Sequence, residues 1–571
     1  MLLCLLICVL TLGCGSKPEI EPQLPYWVDN DRTDIPEPES VDPHVIWTSV
    51  ERSTFDQAKL LLDIERNIRI LSDNREQAAN INSYDEVPNS TWFTNRHHIN
   101  PLSPEEIRKG VNHTPGPDTS GIWYVFRPKV GGATPGFWIE DSRGDQYVIK
   151  FDPPDNPEMA TAASAMGSRF FHACGYNVSQ ETIVRWRPEK LRIKDGATIK
   201  IDGKKRPMTQ EDINNILKLV HIDEDGTIRS LASLSLGREG EIKGPFLFDG
   251  RRKDDPNDWF DHEDRRELRG LYVIASLVNH YDVKDQNTLD VYVEENGNNF
   301  LKHYLFDFAS TFGSDGSLEK IPKKGYANTI DVRDVGISMI TLGLKVWPWE
   351  HAQPYSYASV GYFESDIFEP NEFDCIIPNP AWDEMTNRDA YWGAKVVMSW
   401  RDEHLRALVE SGEYSDSLAE DYVLETLRHR RNKIGRHWFA KVNPLDNFEL
   451  QDNGTLDRSS GEGLAIGFED LAAKYGLEMD NAIYQADIKL DGKRVIEKAD
   501  FSGQKMRFRT KEFNSLVTSI LENRKNGRDD LIKIDIRTKR INRDWSKPVR
   551  LWLGYDESYQ RFRLVGIEHI D

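Results

Sequence analysis

The sequence is short of the features that mark several common protein classes. Five cysteines in 571 residues are too few for a disulfide-stapled scaffold. Beyond the start of the chain no apolar run reaches about 18 residues, so nothing downstream has the length of a membrane-spanning helix. Positive charge is in deficit: 73 Lys+Arg against 94 Asp+Glu leave a net −21. That balance argues against nucleic acid as a partner, since binding without sequence preference needs a cationic face. The scattered histidines, His429 and His437 among them, show no zinc-type spacing. Neither G-x-S-x-G nor H-E-x-x-H occurs. What the chain does have is apolar mass. Hydrophobic residues make up 39% and tryptophan alone 15 positions, which excludes wholesale disorder. The length allows about three or four domains.

The first 13 residues, MLLCLLICVLTLG, carry no charged side chain and have the length of a signal-peptide apolar region. Cys14 follows directly, and Thr11-Leu12-Gly13-Cys14 resembles a bacterial lipobox. In that pattern the cysteine is acylated and becomes the mature N-terminus. Thr11 stands where the pattern has Leu, and no Lys or Arg precedes the apolar run. The resemblance implies an exported lipoprotein anchored in a membrane through Cys14; the other reading is an ordinary cleaved signal peptide with Cys14 incidental. Gly15 follows the cysteine, where aspartate would resemble an inner-membrane retention signal. The expected location is therefore the cell envelope, at the outer membrane of a Gram-negative-type bacterium. Cys4 and Cys8 leave with the leader, and Cys174 and Cys375 then permit one disulfide without demanding it. Residues 14–90 read as a Pro- and acid-rich tether with a short helix over 55–71.

From residue 121 the pattern turns to strands. IWYVFRPKV (122–130), FWIED (137–141) and QYVIKF (146–151) are separated by turns, the first containing Gly131, Gly132 and Gly136. Glycines between two strands let backbone N–H groups approach phosphate oxygens. Lys150 ends the third strand, and a helix over 157–175 follows with Glu158 in its first turn. A glycine turn alone reads as a plain hairpin, and a lone strand lysine as an edge-strand solubility residue. Further on, HEDRRELRGLYVIASLVNH (262–280) has one apolar helical face and runs into His280-Tyr281-Asp282-Val283-Lys284-Asp285-Gln286-Asn287. After a strand–turn–strand comes Asp307-Phe308-Ala309, twenty residues beyond Asn287. The Asp-x₄-Asn spacing alone is weak, because it recurs at Asp374/Asn379 with nothing around it.

In this order the elements resemble the protein-kinase fold over roughly 115–445, nearer to atypical bacterial kinases of the HipA and CotH kind than to eukaryotic ones. Tyr281 stands where the catalytic loop has arginine, Ala309 where D-F-G has glycine, and Gly-Gly-x-x-x-Gly differs from G-x-G-x-x-G. The resemblance implies an α+β, bilobal kinase-like domain over 91–450, with a β-rich N-lobe at about 115–250 and a helical C-lobe at about 250–445. It implies ATP or another nucleotide, and Mg²⁺, as cofactors. Gly131, Gly132, Gly136, Lys150 and Glu158 would bind the nucleotide, with Glu158 pairing Lys150. Asp282 and Lys284 would be catalytic, and Asn287 and Asp307 would hold the metal. The acceptor, a protein or a small molecule, is not legible. Asp254-Asp255-Pro256-Asn257-Asp258 and the helix after it resemble a motif of uncharacterised bacterial envelope lipoproteins. Arg265, Arg266 and Arg269 within it read as a structural helix start rather than a phosphate site. Helices are expected over 388–411 and 416–439, the second opening on a Ser417/Glu420 capping box.

After a polar linker (451–463), residues 464–571 read as a small α+β module with a hairpin at Asp491-Gly492, a helix over 511–526 and three strands. It carries no nucleophile–base pair, so partner or polymer binding and a structural appendix both stand. Two functions follow for the whole chain. One is an Mg²⁺-dependent nucleotide phosphotransferase; the other is a non-catalytic kinase-fold scaffold or binding protein of the envelope.

Overall fold

The computed structural model describes residues 27–41, 75–129, 135–201, 204–316, 318, 320–329, 339–342, 344–451, 462–478, 482–496, 499–501, 503–541 and 543–571. Cys14, Gly131, Gly132 and the helix expected over 55–71 lie outside them.

The architecture is mixed α+β. Strands β1 (Trp123–Pro128), β2 (Gly136–Glu140) and β3 (Gln146–Phe151) form an antiparallel meander. Helix α1 (Met159–Cys174) follows, then β4 (Glu181–Trp186) and β5 (Ile228–Leu234). The sheet order is β4-β5-β3-β2-β1, with Leu191–Ile193 added in parallel at the β1 edge. Period-two alternation sends Tyr147, Ile149 and Phe151 of β3 into an apolar core shared with Trp123, Phe137 and Trp186. Lys150 therefore faces the other way.

Helix α2 (Arg266–Val278) is buried along its whole length. It feeds a loop and then the hairpin β6 (Thr288–Glu295) and β7 (Asn298–Leu305), paired without a slip from Thr288↔Leu305 to Glu295↔Asn298. Asn296 and Gly297 turn that hairpin with φ of 54° and 83°, the positive angles that a tight two-residue turn demands. The largest core gathers α1 and α2 with α3 (Asn387–Met398), α4 (Asp402–Glu410) and α5 (Ser417–Lys441).

The structure departs from the sequence reading at several places. The helix expected over 388–411 is two helices, broken at residues 399–401. Asp416, not Ser417, caps α5, accepting from the Leu418 amide at 2.9 Å. The spacer expected over 14–90 is not loose along its described part. Ile35, Val41 and Asn89 make backbone bonds to Asn299, Lys243 and Trp27, and Val87 sits in the main core. The reason is local: this segment's backbone supplies the hydrogen bonds that the outer strand edges would otherwise leave to water.

The C-terminal unit also begins earlier than residue 464, because Leu445–Leu450 pairs with Glu462–Asp470 and contributes Leu445 and Phe448 to its core. There a four-stranded and a five-stranded sheet enclose the helix Thr510–Lys525.

Candidate functional site

The face of β3 turned away from the core presents Lys150, 8% exposed. Its Nζ donates to Asp307 Oδ1 at 3.0 Å, across 157 residues of chain. Asp307 lies just past β7 with φ of 63°, a left-handed conformation that costs a non-glycine residue and tends to mark functional positions. Its neighbour Phe308 locks that turn. The Phe308 ring stacks on Phe171 of α1 at 5.1 Å and 17°, and a Cβ added at Gly167 would stand 2.4 Å from the Phe308 Cβ. Only glycine at 167 leaves that seat open.

The second half of the site hangs from the end of α2. Asn279 caps the helix in the left-handed region. The His280 ring packs against Phe171 and Phe308 at 5.5 and 5.8 Å, and burial pushes its pKa down to about 4, so it stays neutral. Asp282 Oδ1 accepts from Lys284 Nζ at 2.6 Å, while Asn287 Nδ2 donates to the Asp282 carbonyl at 2.8 Å and to Oδ2 at 3.1 Å. The Phe306 amide donates to the Asn287 carbonyl at 3.1 Å. That bond extends the hairpin by one pair beyond Thr288↔Leu305 and sets Asn287 beside the residue that precedes Asp307.

The two aspartates are driven apart electrostatically. Burial raises Asp307, but Lys150, then Lys129 and Lys284, outweigh it and bring the carboxyl to about 2. Burial raises Asp282 as well, the Lys284 ammonium offsets only part of that, and the Asp307 charge pushes it further up. Burial pulls Lys150 down, but Asp307 and then Glu181 hold it above its ordinary value. Such opposed carboxylates are how one site keeps one group ionised as a ligand and another poised to take a proton.

Among the described residues no group of three His, Cys, Asp or Glu side chains could hold a metal by itself. The donors near Lys150 still fit Mg²⁺, which takes oxygen ligands and usually binds through one or two protein groups plus phosphate oxygens. Asp307 offers a carboxylate. Asn287 gives its amide nitrogen to Asp282 and so keeps its amide oxygen as an acceptor.

Glu158 is a correction. It precedes the first turn of α1 with φ of 72°, and its Oε2 accepts from the Ser415 amide at 2.9 Å. The helix start is taken by Asp152, which accepts from the Thr161 amide at 2.8 Å and its hydroxyl at 2.7 Å. Glu158 is thereby left facing Ser415 and Arg229 instead of Lys150. The glutamate whose charge reaches Lys150 is Glu181, 1% exposed on β4 and held by the Ser179 and Ser233 hydroxyls at 2.9 and 2.5 Å. Its signal in the sequence is a carboxylate opening the apolar run ETIVRW.

Gly136 stands opposite Lys150 in the β2–β3 register, and a Cβ there would meet the Ile149 carbonyl oxygen at 2.3 Å. Close approach of the strands already requires this glycine. Tyr281, in the arginine's place, donates its hydroxyl to Asp315, which Lys324 also holds; the Lys320 and Lys324 ammonium groups lie 5.7 and 5.4 Å from the Tyr281 ring.

No family model and no curated protein matches this chain. Solved structures similar to it include three of kinases. A Helicobacter pylori proinflammatory kinase, CtkA, is 10% identical with a TM-score of 0.30, over 57% of this chain and 99% of its own. The Golgi casein kinase is 11% identical with a TM-score of 0.25, over 72% of this chain and 97% of its own. The same kinase with Mn/ADP bound is 11% identical with a TM-score of 0.25, over 71% and 95%. None of the three superposes closely, and the chemistry of this site rests on its own side chains.

Proposed function

We propose that residues 91–450 form a bilobal kinase-like domain acting as an Mg²⁺-dependent phosphotransferase on ATP or a related nucleotide. The observation that carries this reading is the 3.0 Å contact of Lys150 with Asp307. A strand lysine and a carboxylate after a distant hairpin meet beside an Asp–Lys–Asn loop, the constellation that phosphoryl transfer needs.

Lys150 Nζ would move from Asp307 to the phosphates, and Asp307 and Asn287 would hold the metal. Mg²⁺ would supply the countercharge that the phosphates need in a partly desolvated cleft. Asp282, with its raised pKa, would accept the acceptor's hydroxyl proton as the new O–P bond forms and the nucleoside diphosphate leaves. Lys284, already at 2.6 Å from Asp282, would steady the charge of the phosphoryl group in flight. The chain would be exported and lipid-anchored through Cys14, as the lipobox-like start implies, and Cys14→Ser would then release it from membranes.

The test is calorimetric titration of the chain with ATP and ADP at millimolar Mg²⁺. Asp307→Ala is expected to abolish metal-dependent binding. Asp282→Ala is expected to keep affinity and lose only transfer. No binding by the wild type would leave the non-catalytic envelope scaffold as the reading.

A further inference from the structure

The cleft holds a cation that the kinase resemblance does not assign. Lys129 follows β1 directly, at the start of the turn that leads to Gly136. Its backbone amide donates to the Gly136 carbonyl at 3.0 Å, closing the base of that turn. Its aliphatic stem lies across Gly136, with Cδ 3.3 Å from where a Cβ at 136 would stand. Gly136 is the register partner of Lys150, so the Lys129 stem crosses the strand pair next to Lys150. Burial lowers Lys129, Asp307 supports its charge and Lys150 opposes it, so the three groups share one field.

We propose that Lys129 is a second phosphate-binding lysine of this site, contacting the terminal phosphates of the bound nucleotide from the glycine-turn side while Lys150 contacts them from β3. The inference rests on the nucleotide reading above and names how the polyanion is held. Two arguments carry it. Gly136 is already required by the 2.3 Å approach to the Ile149 carbonyl, so it is no evidence of a backbone cradle, and a side-chain charge at the turn's base takes that role. Lys129, Lys150 and Lys284 also converge on Asp307, so three ammonium groups meet the three carboxylates Asp282, Asp307 and Glu181 at one place in a chain of net −21. Ammonium groups gathered at one place can offer a polyanion several contacts at once, even on an acidic protein. A long lysine stem delivers a mobile point charge, suited to phosphate oxygens that shift during transfer.

The experiment is calorimetry on the full chain with MgATP, adenosine and inorganic tripolyphosphate, for wild type, Lys129→Met and Lys129→Arg. Lys129→Met is expected to weaken MgATP and tripolyphosphate about 10- to 100-fold, the worth of one charge-assisted contact. Adenosine should stay within about twofold, because its base and ribose do not reach Lys129, and Lys129→Arg should recover most of the lost affinity. Thermal unfolding of the Met variant reports its folding. Unchanged MgATP affinity in Lys129→Met overturns the proposal while leaving the phosphotransferase standing. Equal losses for MgATP and adenosine overturn it too, since Lys129 would then be supporting the sheet. A wild type that binds neither nucleotide nor tripolyphosphate removes the nucleotide reading and this inference together.

Discussion

Two regions of the molecule are dense in charge, and they are built on different terms. In the arginine cluster at the start of α2, Arg266 meets Asp85 at 2.7 Å and Asp389 at 3.0 Å, and Arg269 meets Asp264 at 2.6 Å and Asp389 at 3.3 Å. Arg388 and His569 both reach Asp85 at 2.9 Å. Burial works against the Asp85 carboxylate, yet Arg266, His569 and Arg388 hold it well below its ordinary value. The cluster ties residues near 85, α2, α3 and the last strand into one body. In the cleft, charges of both signs also meet, but there one carboxylate is pushed up and the other down. The structural cluster keeps its central carboxylate ionised, although burial still raises Asp264 at its edge; the chemical site holds Asp282 away from its preferred state beside an ionised Asp307.

The sharpest break of this comparison is to remove one carboxylate from the arginine cluster. Asp389→Ala leaves Arg266 and Arg269 buried and short of a partner. It is expected to cost about 3–5 kcal/mol of stability, the penalty of breaking buried ion pairs by removing one partner, read by urea denaturation. If the loss is within a few tenths of a kcal/mol, the cluster is not what holds these elements together.

The cleft should respond with the opposite sign. Asp282 has a folded-state pKa above its unfolded value. Its stabilising contribution is therefore present when it is protonated, below about pH 4, and is lost as pH rises through the folded value. At pH 7 the ionised group is a net cost, so Asp282→Asn is expected to raise unfolding free energy, by up to about 1 kcal/mol, while transfer is lost. That gain should vanish in acid. Asp307 runs the other way: its carboxyl, brought to about 2, stabilises the fold above the unfolded value and loses that contribution as pH falls from about 4 toward 2. Asp307→Asn should therefore be less stable than wild type at pH 7 and converge with it in acid. Denaturation series at pH 7 and pH 3 for both variants check this; Asp282→Asn destabilising at pH 7 would put Asp282 with the structural charges.

Much of this was legible in the chain. Val148-Ile149-Lys150, the buried face of 262–280 and the Asn296-Gly297 hairpin follow from period and turn chemistry, which act over a few residues. The kinase-like motifs and their order point to Lys150, Asp282, Asn287 and Asp307, and Lys150 and Asp307 touch. What the sequence hid depends on distant partners. Nothing near Pro36 or Pro38 announces that Ile35 bonds to Asn299, because acid- and proline-rich composition reads the same in a spacer and in a docked strap. The arginines of 265–269 looked local, whereas Asp85 and Asp389, their partners, lie well over 100 residues away on either side.

The smallest expected effect concerns the glutamate that supports Lys150. Kinase order assigned it to Glu158, and the structure turns Glu158 toward Ser415 and Arg229, the latter at 3.9 Å. Glu181 instead contributes to the field on Lys150 and is fixed by two serine hydroxyls. Burial raises the Glu181 carboxyl against the pull of Lys150, and its oxygens are taken by the two serine hydroxyls, so it acts on Lys150 through space. Glu181→Gln keeps one serine hydrogen bond as it stands, lets the other serine hydroxyl accept from the amide nitrogen, and removes the charge. It is expected to weaken MgATP binding by about two- to fivefold, because Lys150 loses one supporting charge of modest worth at that separation. Glu158→Gln should change affinity by less than about twofold, since its contacts, the Ser415 amide and Arg229, do not include Lys150. Calorimetry of the two variants side by side separates them. A larger loss in Glu158→Gln than in Glu181→Gln would mean that α1 shifts on nucleotide binding and brings Glu158 to Lys150, restoring the pairing that the linear order implied.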